Sequence, residues 1–268
     1  MNVSTSYNNN IQSLVGVQSN QLEKIGSALA INKASDDASG LAIATQLGLQ
    51  KDSLSQSLSN MNSGIAMSNI AQSGLNQQSD ILDKIHTETL KAMNGTTSQE
   101  GRESIADQIG KYLDQYDQIA NSTNYNGTAL LKTTGDATDD LSIVGEDTII
   151  DMSKADTTSI SDTLRSFLAD FTTNPDSMKG MLESTKDGIT QISKYQSDFG
   201  SAANAFESSG RNALSSQIET AKAQSTIMDI DYGQEVTDFN KTSLMTQISM
   251  IVQSQANAVQ NRTVPLLS

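Results

Sequence analysis

Both ends of the chain carry apolar residues at helical spacing and very few charged residues. In residues 1–33 the apolar positions advance in steps of three and four, with Gln18 filling one gap. These positions are Ile11, Leu14, Leu22, Ile25 and Leu29. A looser version of the same pattern near the other end comprises Val236, Phe239, Leu244, Ile248, Ile251 and Val259. A single amphipathic helix needs a partner for its apolar stripe, so we expect the two ends to pair with one another and with copies of themselves.

The chain between these ends predicts long helices with clear start and stop signals. An apolar seam over about residues 38–93 ends at Asn94-Gly95, and an unbroken helix of that length spans about 80 Å. Thr97 and Glu100 have the spacing of a capping box, which predicts that a further helix begins there. Asn174-Pro175 predicts the start of a last long helix, whose apolar steps continue to about residue 221.

Residues 133–175 differ from the helical regions in both charge and pattern. Asn126-Gly127 turns the chain out of the helical region, and residues 133–176 then hold ten acidic residues against Lys154 and Arg165. Within this segment, 141–144 and 148–150 predict two short strands around a turn that contains glycine, the one β-hairpin that we expect. The concentration of negative charge indicates a solvated surface.

Together these patterns predict a mainly α fold, a long antiparallel helical bundle with both termini at one end and a small β-hairpin at the other. We expect three parts. Residues 1–33 and 234–268 form a terminal coiled coil, residues 34–132 and 176–233 form a helical bundle, and residues 133–175 form a short acidic surface segment.

Composition argues against an enzyme and against several classes of partner. The net charge is −14, aromatic residues make up 4% and cysteine is absent. The chain has neither a basic stripe nor interleaved aromatic residues, so we expect no nucleic-acid binding. We predict no membrane insertion, because no apolar run is long enough, and no signal peptide. His86 is the single histidine and lacks a second ligand at zinc-site spacing, so we predict no metal, cofactor or catalytic residue.

Two segments resemble the signatures of a known family. Residues 31–44 read INKASDDASGLAIA, and residues 227–236 read IMDIDYGQEV, followed by QANAV at 255–259 and by Leu266 and Leu267. Both segments, in this order and at about this spacing, resemble bacterial flagellin. The residues that match are Asn32, Asp36, Asp37, Gly40, Asp229, Asp231, Tyr232, Glu235, Gln255 and Asn257. One departure is that Gly26-Ser-Ala28-Leu29 stands where the family usually has Ser-Ser-Gly-Leu.

The resemblance implies a structural protein that is exported by the flagellar type III system and polymerises into an extracellular filament for swimming. It also implies partners: copies of the chain, alone or with other flagellins, an export chaperone at the C-terminal helix, and the filament cap and hook-junction proteins. In the family, the terminal helices form the inner layer of the filament.

Adjacent residues point in different directions on a helix, so the pair Asp36-Asp37 is expected to act as a helix cap rather than as a catalytic carboxylate pair.

Two alternatives remain open at this point. One is a hook-filament junction protein of related architecture. The other is a secreted flagellin-like effector or adhesin that does not build the main filament.

Overall fold

The structure is a computed structural model that describes residues 3–133, 140–145 and 148–263. Helices account for most of it: α1 (Val3–Ser27), α2 (Ala38–Ala92), α3 (Gln99–Ser122), α4 (Thr158–Leu168), α5 (Pro175–Met228) and α6 (Tyr232–Thr263). The strands are β1 (Asn124–Tyr125), β2 (Thr128–Ala129), β3 (Asp140–Val144) and β4 (Ile149–Ser153). The predicted mainly α bundle with a small β-hairpin is confirmed.

The predicted hairpin is present, and a second, smaller one accompanies it. β3 pairs antiparallel with β4, with Leu141 opposite Met152 and Val144 opposite Ile149. The hairpin that we did not predict is β1–β2, whose connecting residues Asn126 and Gly127 have φ angles of 50° and 82°. Asn-Gly between short strands is a strong signal for a two-residue turn with positive φ angles, and the sequence analysis treated it only as a change of direction.

The predicted bounds of α2 and the predicted start of α5 are correct to within a residue. α5 continues to Met228, seven residues beyond the predicted 221, and one predicted cap needs correction. The side chain of Asp37 accepts hydrogen bonds from the N–H groups of Ser39 and Gly40 at the start of α2. At α3 the cap is Ser98, which accepts from Gly101 N–H at 3.1 Å, and not Thr97. The Thr97 hydroxyl instead donates to the carbonyl of Lys91 in the last turn of α2.

The acidic segment contains a helix that the sequence analysis missed, and it is not entirely a surface segment. Leu164 of α4 and Phe171 beyond it are fully buried. Arg165 of α4 donates to Asp114 and Asp117 of α3 at 2.9 and 2.7 Å, and these hydrogen bonds raise the pKa of the guanidinium. The helical period was readable in the sequence, and describing the segment by its charge overlooked it. The apolar residues of α4 stand at helical spacing with a single acidic residue among them: Ile160, Leu164, Phe167 and Leu168.

Contacts divide the chain into two units, which we call the terminal unit (residues 1–52 and 217–268) and the central unit (residues 53–216). The central unit has a continuous apolar core formed by residues of α2, α3, α4, α5 and the β3–β4 hairpin. Its fully buried members include Met61, Leu75, Leu82, Ile85, Ile109, Leu113, Tyr116, Leu130, Leu131, Phe171, Phe199 and Phe206.

A buried polar cluster connects four segments of the central unit. The Gln78 amide of α2 donates to the Thr157 hydroxyl at 3.0 Å and to the Tyr116 carbonyl of α3 at 3.3 Å. The Thr157 hydroxyl donates in turn to the carbonyl of Leu131 at 2.8 Å. Burial raises the pKa of the Tyr116 hydroxyl, which therefore stays neutral. These bonds fix the chain that follows the β3–β4 hairpin against the bundle.

In the terminal unit, the loop before α2 pairs with the loop before α6. Leu29 and Asp229 form an antiparallel β-bridge, in which Ala30 N–H donates to the Met228 carbonyl at 2.6 Å and Ile230 N–H to the Ala28 carbonyl at 3.3 Å. Ala28 has a φ of +58°, a left-handed conformation that glycine adopts far more easily. Ala28, where the family usually has glycine, therefore adds backbone strain, while the bridge between Leu29 and Asp229 still forms.

Replacing Ala28 with glycine is expected to stabilise this bridge by about 1 kcal/mol, because the left-handed backbone no longer conflicts with a Cβ atom. Amide hydrogen exchange of Ala30 and Ile230 should be slower in this variant. The control is Ala30→Gly, two residues away, where φ is not positive; it should gain nothing. Equal protection in the two variants would contradict the strain at Ala28.

Two glycines of the central unit provide a matched test of packing in the bundle. A Cβ on Gly64 of α2 would lie 2.8 Å from the ring of buried Phe206, whereas a Cβ on Gly200 of α5 would meet only Gln72 Nε2, at 3.8 Å. Gly64→Ala should therefore destabilise the protein by about 1–3 kcal/mol through overpacking. Gly200→Ala should stabilise it by about 0.5–1 kcal/mol through helix propensity. Urea unfolding measures both, and a stabilising Gly64→Ala would disprove the close α2–α5 packing.

Candidate assembly surface

The two terminal helices pack against one another, as the sequence predicted. α1 and α6 run antiparallel, since the bridge between Leu29 and Asp229 joins the end of α1 to the start of α6. Half of the half-buried side chains of α1 are apolar, namely Ile11, Leu14 and Ile25, and the others are Gln18, Gln21 and Lys24. α1 therefore directs its predicted apolar seam towards α6.

The face of α6 that lies against α1 is polar or small, apart from Val236 and Phe239. Thr246 is buried, and half-buried residues follow at helical spacing on either side of it: Phe239, Thr242, Ser243, Ser249, Gln253 and Ala256. Two carboxamide oxygens, Gln21 Oε1 and Gln253 Oε1, are buried without a hydrogen-bond partner among the described residues. An unsatisfied buried acceptor costs about 1–3 kcal/mol, so this seam holds the two helices together only weakly.

Most of the large apolar residues of α6 between 244 and 252, Met250 excepted, lie on its opposite face. Leu244 and Ile248 each stand two residues from Thr246, which places them about 160–200° around the helix axis. We call Leu244, Met245, Ile248, Ile251 and Val252 the outer stripe. All five are exposed, Ile248 and Ile251 at 58% each. A row of exposed aliphatic side chains along a helix marks a surface that another molecule covers.

The structure separates the assembly residues proposed from the sequence into three groups. Ile11, Leu14, Ile25, Leu29, Val236 and Phe239 are half-buried within the chain. Leu22 is 59% exposed on the flank of α1, and Leu244, Ile248, Ile251 and Val259 are exposed on α6. Leu266 and Leu267 lie outside the described residues. Leu22 is therefore not part of the contact with α6, where the half-buried residue is Gln21 instead. The half-buried positions 11, 14, 18, 21 and 25 advance in alternating steps of three and four, a strict heptad, which the predicted step from Gln18 to Leu22 breaks.

The sequence analysis missed the contact face of α6 and two members of its outer stripe, Met245 and Val252. The available signal was the recurrence of Thr, Ser, Gln and Ala every three or four residues from 242 to 256. A stripe of this composition allows close approach of two helices without a hydrophobic signal. Periodicity of apolar residues alone finds the outer face of α6 and does not distinguish a contact with α1 from a contact with another copy.

The residues that match the flagellin signatures cluster at the two paired loops. Asp36 accepts hydrogen bonds from the N–H groups of Asn32 and Lys33, which lower the pKa of its carboxyl. A Cβ on Gly40 would lie 2.8 Å from the side chain of buried Ile31, so the first turn of α2 has no room for one.

On the other loop, Asp231 accepts from Gln234 N–H at 3.1 Å and caps α6, while Asp229 accepts from the Ser225 hydroxyl. Tyr232, Gln255 and Asn257 are exposed and Glu235 is half-buried. The signature aspartates thus hold the turns that lead into α2 and α6, whereas Asn257, far along α6, accepts a hydrogen bond from the Gln253 side chain at 3.3 Å.

Neither a metal centre nor a membrane span is found in the part of the chain that the structure describes. Those residues contain no group of three or more His, Asp or Glu side chains placed to hold a metal ion. Their helices include none that is both apolar enough and long enough to cross a bilayer.

Comparisons with known proteins agree with these features. A family model described as the bacterial flagellin N-terminal helical region matches residues 1–136, and one described as the bacterial flagellin C-terminal helical region matches residues 182–267. The flagellar filament 30.7 kDa core protein of Treponema maltophilum is 28% identical over 284 aligned residues, which cover 100% of this chain and 98% of the relative.

Two solved structures share the fold. A Bacillus cereus flagellin has a TM-score of 0.52 at 23% identity, covering 58% of this chain and 88% of its own. A putative flagellar hook-associated protein from Vibrio parahaemolyticus has a TM-score of 0.64 at 13% identity, covering 72% and 100%. The two family models together span both ends of the chain and most of its helices. The chain belongs to the bacterial flagellin family.

Proposed function

We propose that this protein is a subunit of the extracellular bacterial flagellar filament and that it polymerises through its terminal unit. The observation that carries the proposal is the outer stripe of α6, an exposed apolar face on a helix whose other face already packs against α1. Family membership supplies the kind of assembly, a homopolymer whose long helices transmit force.

The arrangement suits an open polymer better than a closed dimer. The exposed apolar residues of α1, among them Val15 and Leu22, are different from the outer stripe of α6. Two unlike surfaces that meet head to tail generate open helical filaments, whereas one self-complementary surface closes as a dimer. We therefore propose that residues 1–33 and 234–268 form the inner layer of the filament, where neighbouring copies cover the outer stripe.

Charge distribution supports the same placement. Residues 242–268 carry only Arg262 as a charge, so burial between subunits requires little desolvation of ions. Residues 133–176, with their ten acidic residues, need contact with water and fit the outside of a filament. The paired helices of the central unit then form the layer between.

Family membership also supports the finer partners of this proposal. We propose that the chain is exported by the flagellar type III system, with a chaperone on its C-terminal helix, and that cap and hook-junction proteins bound the polymer. The exposed outer stripe is a surface that needs a cover before assembly.

A junction protein is the second candidate function, favoured by the likeness of fold to the hook-associated protein from Vibrio parahaemolyticus. Filament formation by the purified chain alone distinguishes the two functions. A junction protein would add to an existing end and would not grow into long polymers.

Ile248→Asp is expected to abolish polymerisation, because it places a carboxylate in the outer stripe, where a neighbouring copy removes water at a cost of several kcal/mol. Gln247→Asp is the matched control, since Gln247 is exposed on the polar flank of the same helix. It should assemble nearly as well as the unsubstituted chain. Electron microscopy and sedimentation after seeding measure assembly, and circular dichroism confirms that both variants stay helical.

Removal of residues 234–268 should likewise prevent assembly and leave the central unit folded. Filaments from the Ile248→Asp variant would show that the outer stripe is not the interface. Failure of the full-length chain to form filaments with or without seeds would instead favour the junction protein or a secreted flagellin-like effector.

A further inference from the structure

The methionines of this chain fall into clearly different environments. Five of the ten are buried in the core of the central unit: Met61, Met67, Met152, Met178 and Met181. Two on α6, Met245 and Met250, are 49% and 51% exposed. Solvent reaches the sulfur atoms of exposed methionines, and oxidation follows exposure.

The two exposed methionines of α6 lie on different faces of the helix. Met245 stands three residues before Ile248 and seven before Val252, so it belongs to the outer stripe. Met250 stands four residues after buried Thr246, so it lies at the exposed edge of the face that meets α1 and outside the outer stripe. The chain thus provides two methionines of nearly equal exposure on one helix, only one of them on the apolar face.

We propose that Met245 is an oxidation-sensitive site that controls polymerisation, with a peroxide as the oxidant; this inference rests on the proposed filament function. A lone pair of the Met245 sulfur attacks one peroxide oxygen, an S–O bond forms and the O–O bond breaks. When the oxidant is hydrogen peroxide, the second oxygen takes the proton of the attacked oxygen and leaves as water. The sulfur loses two electrons, the peroxide gains them, and the product is an uncharged, polar sulfoxide.

The sulfoxide acts on assembly and not on the fold of the single chain. In the free subunit its oxygen is hydrated, because Met245 is half exposed. When a neighbouring copy covers the outer stripe, that oxygen loses water, and the nearest members of the stripe, Leu244, Ile248 and Val252, carry no donor to replace it. Burying a polar group without a hydrogen bond is unfavourable, so oxidised subunits are excluded from the polymer.

The modification therefore discriminates between subunits before and after assembly. A neighbouring copy that covers the outer stripe also covers the Met245 sulfur and protects it in the filament. Methionine sulfoxide reductases reverse the modification, so an oxidised subunit returns to the pool that can assemble.

The test compares Met245→Leu with Met250→Leu. Free protein is treated with hydrogen peroxide, oxidised positions are found by peptide mass spectrometry, and seeded assembly is followed by sedimentation. Oxidation should raise the concentration needed for assembly by about tenfold or more in the unsubstituted chain and in Met250→Leu. Met245→Leu should assemble as before treatment. Methionine sulfoxide reductases should restore the oxidised unsubstituted chain.

Glutamine substitutions, which add a polar group without an oxidant, make the test independent of the leucine variants. Met245→Gln should assemble poorly and Met250→Gln normally. Equal loss of assembly in Met245→Leu and the unsubstituted chain after peroxide would overturn the inference, as would full assembly of chains whose Met245 is oxidised. Failure of the untreated, unsubstituted chain to assemble would instead contradict the proposed function on which the inference rests.

Discussion

The arrangement on which the organisation of the terminal unit depends is the division of α6 into a polar contact face and an apolar outer face. Thr246 and its neighbours approach α1 closely, while Ile248 and Ile251 remain exposed. Had the apolar face turned towards α1, the chain would satisfy its own hydrophobic surface and have little reason to polymerise. In the observed arrangement the outer stripe stays exposed, so the larger hydrophobic free-energy gain would come from contacts between copies.

The weak pairing of α1 with α6 within the chain fits the proposal that stronger contacts form between copies. The α1–α6 seam contains two buried carboxamide oxygens without partners among the described residues, and its contacts on α6 are mostly hydroxyl and small side chains. The loops at its base are better defined: the Leu29–Asp229 bridge joins them, Asp37 caps α2 and Asp231 caps α6. The signature residues thus fix where the terminal helices start, and the seam leaves their outer surfaces free to meet other copies.

The central unit follows a different principle, because its core is closed. Apolar residues from four helices and a hairpin meet there. The side chains of Gln78 and Thr157 donate hydrogen bonds to the buried carbonyls of Tyr116 and Leu131. Helix α4 and the β1–β2 hairpin were both absent from the sequence analysis. α4 has a readable helical period, which the charge of the surrounding segment led the sequence analysis to overlook. β1 and β2 are only two residues long each, too short for a period, so only the Asn-Gly pair between them could have predicted that hairpin.

The sequence by itself determined the long helices, most of their boundaries, the β3–β4 hairpin, the pairing of the two ends and the family. These follow from local signals such as capping residues, Asn-Gly turns and repeats of three and four, which act within a few residues of one another. The tertiary structure decided which face of α6 meets α1, and it placed Leu22 outside that contact and Met245 on the outer stripe. Periodicity shows that a helix has an apolar face but not which neighbour covers it. That choice depends on how closely two backbones can approach, which is a property of the pair of helices and not of either sequence alone.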